Sequence, residues 1–125
     1  MRSFPQVYFD AIIPVPLHRK RLRWRGFNQA VVLAREVSRA WNVPVDPFVL
    51  SRTRETPPQT QLTEEERRKN VRGAFVLNRK KSVKRKVLLL VDDVYTSGAT
   101  ARECSRVLRR AGAKEVHVLT LARAV

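Results

Sequence analysis

Val87-Leu88-Leu89-Leu90-Val91-Asp92-Asp93-Val94-Tyr95-Thr96-Ser97-Gly98-Ala99-Thr100 decides how this chain is read. The run Val87–Val91 is apolar without interruption and strand-sized, the pattern of a strand covered on both faces, as in a parallel sheet. It ends in two adjacent carboxylates, Asp92 and Asp93. A turn of small and hydroxyl-bearing residues follows, Thr96 to Thr100. A helix comes next, from about Gly98 to Ala111, with Ala101, Cys104, Val107, Leu108 and Ala111 at helical spacing. Gly112 is placed to cap it. In open parallel sheets, ligands bind outside the carboxyl ends of the strands, where the two acids and the turn fall.

The residue types suggest what would bind there. Two consecutive carboxylates at a strand end can accept hydrogen bonds from a pair of vicinal hydroxyls, such as those of ribose. Backbone amides at a helix N-terminus suit a phosphate, and Gly98 permits its close approach. The short separation of the two features suits a ribose carrying a 5-phosphate.

Working outward, Val7–Val15 reads as a strand ending at Pro14 and Pro16. A basic loop follows, His18 to Arg25. Phe27, Ala30, Val31, Ala34, Val37 and Trp41 mark one face of a helix over about 28–41, ended by Asn42 and Pro44. Val45–Leu50 reads as a short second strand. Ser51–Gln61, with Pro57-Pro58, reads as an irregular mobile loop. Thr63-Glu64-Glu65-Glu66 has the form of a capping box opening a short helix to about Asn70. Gly73 breaks that helix, and Ala74–Leu77 reads as a strand. Val116–Leu121 is the last strand. The order β-α-β-insert-β-α-β predicts an α/β fold, an open and mainly parallel sheet with flanking helices.

Size and charge bound the rest. At 125 residues the chain is read as a single domain, 1–125. No apolar run approaches a membrane span, so no membrane insertion is expected. The start has no signal-peptide core, which with one cysteine makes a cytoplasmic location the expectation. A single Cys104 excludes an internal disulfide or a cysteine zinc site within this sequence. The net charge is +15, and residues 51–86 are the most basic third. Such a field favours polyanions: nucleic acid, phosphorylated metabolites or an acidic partner.

Residues 87–100 resemble the phosphoribosyl-pyrophosphate signature of type I phosphoribosyltransferases: an apolar run, two acids, an apolar residue, any residue, then Thr, Ser or Thr, Gly, any residue and Thr. Arg25-Gly26-Phe27 lies where that family has its pyrophosphate loop, and adenine-type members carry the same triplet. Pro14–His18, Arg25–Gln29, Thr56–Gln59 and Arg67–Phe75 resemble the ComF competence family, in order along nearly the whole chain. ComF-like proteins usually begin with a cysteine-rich zinc module that is absent here. The chain is therefore expected to be a natural short form or the transferase-like domain alone.

The resemblance implies roles. Asp92 and Asp93 would be the catalytic residues, holding the ribose hydroxyls directly or through Mg²⁺. Thr96, Ser97, Gly98, Ala99 and Thr100 would hold the 5-phosphate, and Arg25 and Gly26 the pyrophosphate with Mg²⁺. Residues 51–70 would be a mobile catalytic-type loop, with Arg52, Arg54 and Lys69 as candidates to close over the diphosphate. Two readings stand at this point. One is a protein that binds phosphoribosyl pyrophosphate or a ribose-phosphate nucleotide, with transfer to a nitrogen acceptor left open because little chain remains for an acceptor hood. The other is a non-catalytic basic module contacting single-stranded DNA or a helicase partner in DNA uptake. A homodimer is compatible with either.

Overall fold

The computed structural model describes residues 8–18, 22–23, 26–53, 63–95 and 98–123. Its strands are β1 (Ala11–Pro14), β2 (Leu50–Arg52), β3 (Phe75–Leu77), β4 (Val87–Tyr95) and β5 (Glu115–Arg123). Its helices are α1 (Gln29–Trp41), α2 (Glu64–Val71) and α3 (Ala99–Arg110). Three strands form a parallel sheet in the order β1-β4-β5, with Ile12 opposite Leu89 and Leu89 opposite His117. The α/β class with a parallel sheet and flanking helices is as expected.

β4 holds the middle position, which explains its unbroken apolar run. Side chains alternate between the faces of a strand. Leu88 and Leu90 belong to one core with Ile13, Cys104 and Leu108; Leu89 and Val91 belong to another with Ile12 and Ala34. Helix α3 and the β2–β3 pair therefore cover one face of the sheet, and α1 covers the other. The stripe expected on α3 is observed: Ala101, Cys104 and Leu108 are buried, and Val107 and Ala111 pack against the same core. Trp41, expected in the core, is partly buried and stacks on Phe9 with ring centroids 6.0 Å apart. His117 lies in β5 and meets the same Phe9 ring edge-on.

The expectations for the strands need correction. β2 and β3 do not join the parallel sheet; they pair with each other, antiparallel, with Leu50 opposite Leu77. The strand expected at Val45–Leu50 is also misplaced. Only Val45 makes a bridge, parallel to Ile12, with Ile12 N–H donating to the Pro44 carbonyl at 2.8 Å. The Asp46 carboxylate then accepts from the Phe48 amide at 3.0 Å, turning the chain before β2 begins at Leu50. The first strand is shorter than expected, starting at Ala11 rather than Val7, which is itself outside the described residues.

The capping box is present. The Thr63 hydroxyl accepts from the Glu66 amide at 3.1 Å, and the Glu66 carboxylate accepts from the Thr63 amide at 2.9 Å. Among the described residues no helix is long and apolar enough to cross a membrane.

Candidate functional site

The connections from β1 and β4 leave for opposite faces of the sheet, because α1 and α3 cover opposite faces. Neighbouring strands whose connections diverge leave a crevice at their carboxyl ends, and ligands bind there in open α/β sheets. Hydrogen bonds assemble both rims. The Val15 amide donates to the Val91 carbonyl at 2.8 Å, tying the end of β1 to β4 just before Asp92. The Asn28 side chain donates to the Val15 carbonyl at 3.1 Å and caps α1 by accepting from the Ala30 amide at 2.9 Å. The start of α1 is thereby held at the same edge as Asp92. Gly26 lies just before it, at φ +83 with open space where a side chain would project. The left-handed backbone, not crowding, is what calls for glycine there.

Asp92 and Asp93 are both half-buried, and the Asp93 amide donates to the Asp92 carboxylate at 2.9 Å. The strand expected to end at Val91 runs on to Tyr95, because pairing with β5 continues through Asp92 opposite Thr120 and Tyr95 opposite Arg123. The two acids therefore lie past the middle of β4, beyond its pairing with β1. Burial, then the charge of Asp93, pushes the Asp92 carboxyl up to about 7, against the opposing pull of Arg52. Gly98 is buried and left-handed, at φ +82, as the cap residue that opens α3. Ala99 is buried and Thr100 half-buried behind it. The Arg102 guanidinium reaches back to the Gly98 carbonyl at 3.5 Å. Arg25, Thr96 and Ser97 lie outside the described residues.

The three arginine and lysine candidates separate. Arg54 lies outside the described residues. Lys69 is on α2 and pairs loosely with Glu65 at 3.9 Å on an exposed face. Arg52 is not on a loop: it closes β2, its guanidinium 5.1 Å from the centre of the Phe75 ring and close enough to bear on Asp92. β-pairing of Arg52 with Phe75 explains this, since a ladder residue cannot belong to the irregular segment.

Three features were not visible in the sequence. A groove of about 930 Å³ runs from the β1–α1 connection to β2, lined by His18, Phe27, Arg35, Phe48 and Arg52. A smaller one of about 380 Å³ lies between α2 and α3, where Arg68, Lys69, Arg72, Arg102 and Arg106 converge. Glu103, the buried charged side chain among the described residues, lies at this second groove. None of these follows from spacing, because each joins segments distant in sequence. Cys104 is fully buried, and burial pushes its thiol up, so it packs rather than reacts.

A phosphoribosyl transferase domain model matches residues 28–124. The chain belongs to that family. The match covers the domain from the start of α1 through β5. The phosphoribosyltransferase domain is also similar to Competence protein F of Haemophilus influenzae, 40% identical over 116 residues, which are 92% of this chain and 51% of that protein. It is similar to DNA utilization protein YhgH of Escherichia coli, 40% identical over 114 residues, 91% of this chain and 49% of the other. The chain thus spans about half the length of the curated relatives it matches. Among solved structures it resembles glutamine phosphoribosylpyrophosphate amidotransferase from B. subtilis, with TM-score 0.61 and 27% identity, covering 92% of this chain and 23% of that one. The expected resemblance to ComF-type phosphoribosyltransferases agrees with these relatives.

Proposed function

We propose that the crevice between the carboxyl ends of β1 and β4 binds phosphoribosyl pyrophosphate, or a nucleotide with the same ribose 5-phosphate, and transfers the phosphoribosyl group to a nitrogen acceptor. The observation that carries this reading is the half-buried Asp92–Asp93 pair near the carboxyl end of the central strand, followed by the buried, left-handed Gly98 that opens α3. On this reading the ribose hydroxyls donate to Asp92 and Asp93. The amides and hydroxyls of Thr96, Ser97, Gly98, Ala99 and Thr100 donate to the 5-phosphate. Arg25 and Gly26 hold the diphosphate, with guanidinium and amide donors.

A divalent cation fits the residues present. Among the described residues no cluster of three or more His, Cys, Asp or Glu can hold a metal by itself. Two adjacent carboxylates, one driven toward neutrality by burial and by its neighbour, suit a Mg²⁺ that keeps waters and takes further oxygens from its ligand. Asp92 and Asp93 would hold it, directly or through water, and it would neutralise charge on the departing diphosphate. The chain's own contribution is positioning and charge stabilisation: bond breaking at the anomeric carbon leaves positive charge on the ribose ring, and the paired carboxylates lie on the ribose side. The setting of this activity is cytoplasmic DNA uptake, in keeping with the competence and DNA-utilization names of the relatives.

Isothermal titration with phosphoribosyl pyrophosphate and Mg²⁺ tests the reading. Wild type gives saturable heat. Asp92→Asn/Asp93→Asn weakens binding by about a hundredfold or more, since each hydrogen bond to a charged group contributes about 1.5–3 kcal/mol. Heat no greater than dilution, or a double variant that binds like wild type, overturns it.

A second reading is favoured by one observation, the five cations against two carboxylates, Glu65 and Glu103, that line the groove between α2 and α3. It makes the domain a non-catalytic basic module for single-stranded DNA or a helicase partner, alone or as a homodimer. A gel shift with single-stranded DNA that weakens steeply with salt, in a protein that gives no heat with phosphoribosyl pyrophosphate, selects this reading over the first.

A further inference from the structure

Glu103 is out of place electrostatically. It sits one turn after Thr100 on α3, the helix whose N-terminus is assigned a phosphate, and a carboxylate there repels that ligand. It is nonetheless only 7% exposed. A buried carboxylate is tolerated only when it is paired and hydrogen-bonded, and Glu103 is both. It accepts two hydrogen bonds from the Arg106 guanidinium, at 3.0 and 2.6 Å, and one from the Gly73 amide at 3.0 Å. Arg106 above all, with the Gly73 amide, holds its carboxyl below the usual range, so it stays ionised.

The Gly73 bond is the informative one, because it links residues 30 apart in sequence. Gly73 lies between the end of α2 and the start of β3 and is left-handed, at φ +74. Its neighbour Ala74 is fixed to the residue that follows β2: the Thr53 amide donates to the Ala74 carbonyl at 2.7 Å. Glu103 thus fastens the α2–β3 junction to α3. The last turn of α2 carries Arg68 and Lys69, with Arg72 just past it, and these share their groove with Glu65 and with Ala99 and Arg102 at the start of α3.

We propose that Glu103 is a positioning residue: by accepting from Gly73 it holds the cationic end of α2 beside the phosphate turn of α3, so that those cations add to the anion affinity of the turn. In this groove Glu103 is offset by Arg106 and Glu65 by Lys69, and Arg68, Arg72 and Arg102 leave it a positive excess. The inference rests on the assignment of the 96–100 turn to a 5-phosphate.

The test uses ribose 5-phosphate, whose one phosphate reports on that turn. Wild type, Glu103→Ala and Glu103→Gln are titrated over a range of salt concentrations. Glu103→Gln keeps an oxygen for the Gly73 amide; Glu103→Ala does not. Glu103→Ala is expected to bind about tenfold more weakly and with a shallower salt dependence, and Glu103→Gln to restore both. Amide exchange at Gly73 and through 68–72 speeds up in the alanine variant alone. Loss of melting temperature in both variants with unchanged affinity and salt slope overturns the proposal, since a merely structural role does that. Equal weakening in both overturns it as well. A wild type that fails to bind ribose 5-phosphate removes the assignment of the turn, and this inference with it. A wild type that binds, beside an alanine variant that binds equally well, removes this inference alone.

Discussion

On one face of the β1–β4–β5 sheet, Ile12, Leu89 and Val91 meet Ala34 of α1, and the described core there is wholly apolar. On the other, Ile13, Leu88 and Leu90 meet α3, and Cys104 and Glu103 are buried on that helix. Asp92 continues the alternation of Leu88 and Leu90, and its charge is felt at Cys104. One strand therefore supplies two kinds of interior. The described core of the α1 face has only packing to satisfy, whereas the α3 face must also hold the carboxyls of Asp92 and Glu103. The costs differ accordingly: apolar packing fails by leaving cavities, and buried charge fails by losing a partner.

Adjacent residues of β1 put that comparison to its largest test. Ile12 is 0% exposed on the α1 face and Ile13 is 1% exposed on the α3 face. Ile12→Ala and Ile13→Ala are each expected to cost about 2–5 kcal/mol in urea unfolding, because both leave cavities the surroundings fill only in part. A near-neutral result at either position would show that one of the two cores is not formed.

Glu103→Gln probes charge on the α3 face and has no counterpart on the α1 face. The Glu103 carboxyl is held below its ordinary 4.5 by Arg106 and then Gly73. A carboxyl with a depressed folded-state pKa contributes stability that is present above the unfolded value and lost as pH falls through the folded one. The substitution is expected to cost about 1–3 kcal/mol at pH 7. The gap to wild type should close as pH drops below 4.5. Chemical denaturation from pH 7 to pH 3 measures it; a gap independent of pH would deny that the ionised form matters.

Asp92→Asn carries the comparison to the crevice and reverses the sign. Burial and Asp93 both oppose ionisation of Asp92, so a neutral isostere relieves strain that the free protein bears for its ligand. At pH 7 the variant is expected to be more stable than wild type by on the order of 1 kcal/mol while binding phosphoribosyl pyrophosphate poorly. A variant that is both less stable and ligand-deficient would make Asp92 a structural residue.

The contrast between the faces also separates what was legible in the sequence from what was not. β4, its two acids and α3 could be read because they are contiguous. The pattern also showed Gly112, observed at φ +105 after α3, and a helix over about 28–41, of which the structure makes Asn28 the cap. The division of the Val87–Val91 run between two cores was hidden, since a strand buried on both sides shows no alternation. β3 lies within the stretch Ala74–Leu77 that the sequence marks as a strand, but the place of β2 and the pairing of the two were not legible, because a three-residue strand has no period of its own. Their pairing is a tertiary event that places Ser51 opposite Val76. The bond from Gly73 to Glu103 was invisible for the same reason, and with it the reason for a carboxylate near a phosphate turn. Arg52 was recognised as important but assigned to a loop, because nothing local announces that its guanidinium covers Phe75.

The smallest effect is expected at α2, which belongs to neither face's deep packing. Of its eight residues, Glu64–Val71, Val71 is the one that reaches the core among the described side chains. Helices this short are marginal without tertiary support, so the Thr63–Glu66 box carries an unusual share of the local stability. Thr63→Ala removes a hydroxyl that accepts from the Glu66 amide and costs about 1 kcal/mol. That loss is confined to the helix, because Val71 and the Gly73–Glu103 bond still anchor its far end. Amide exchange within 66–70 is expected to accelerate about fivefold, while exchange in β4 stays at its wild-type rate. Equal acceleration in β4 would mean that α2 unfolds only with the whole domain. The cations on its face would then be as rigid as the sheet, and their placement beside the phosphate turn would need no fastening by Glu103.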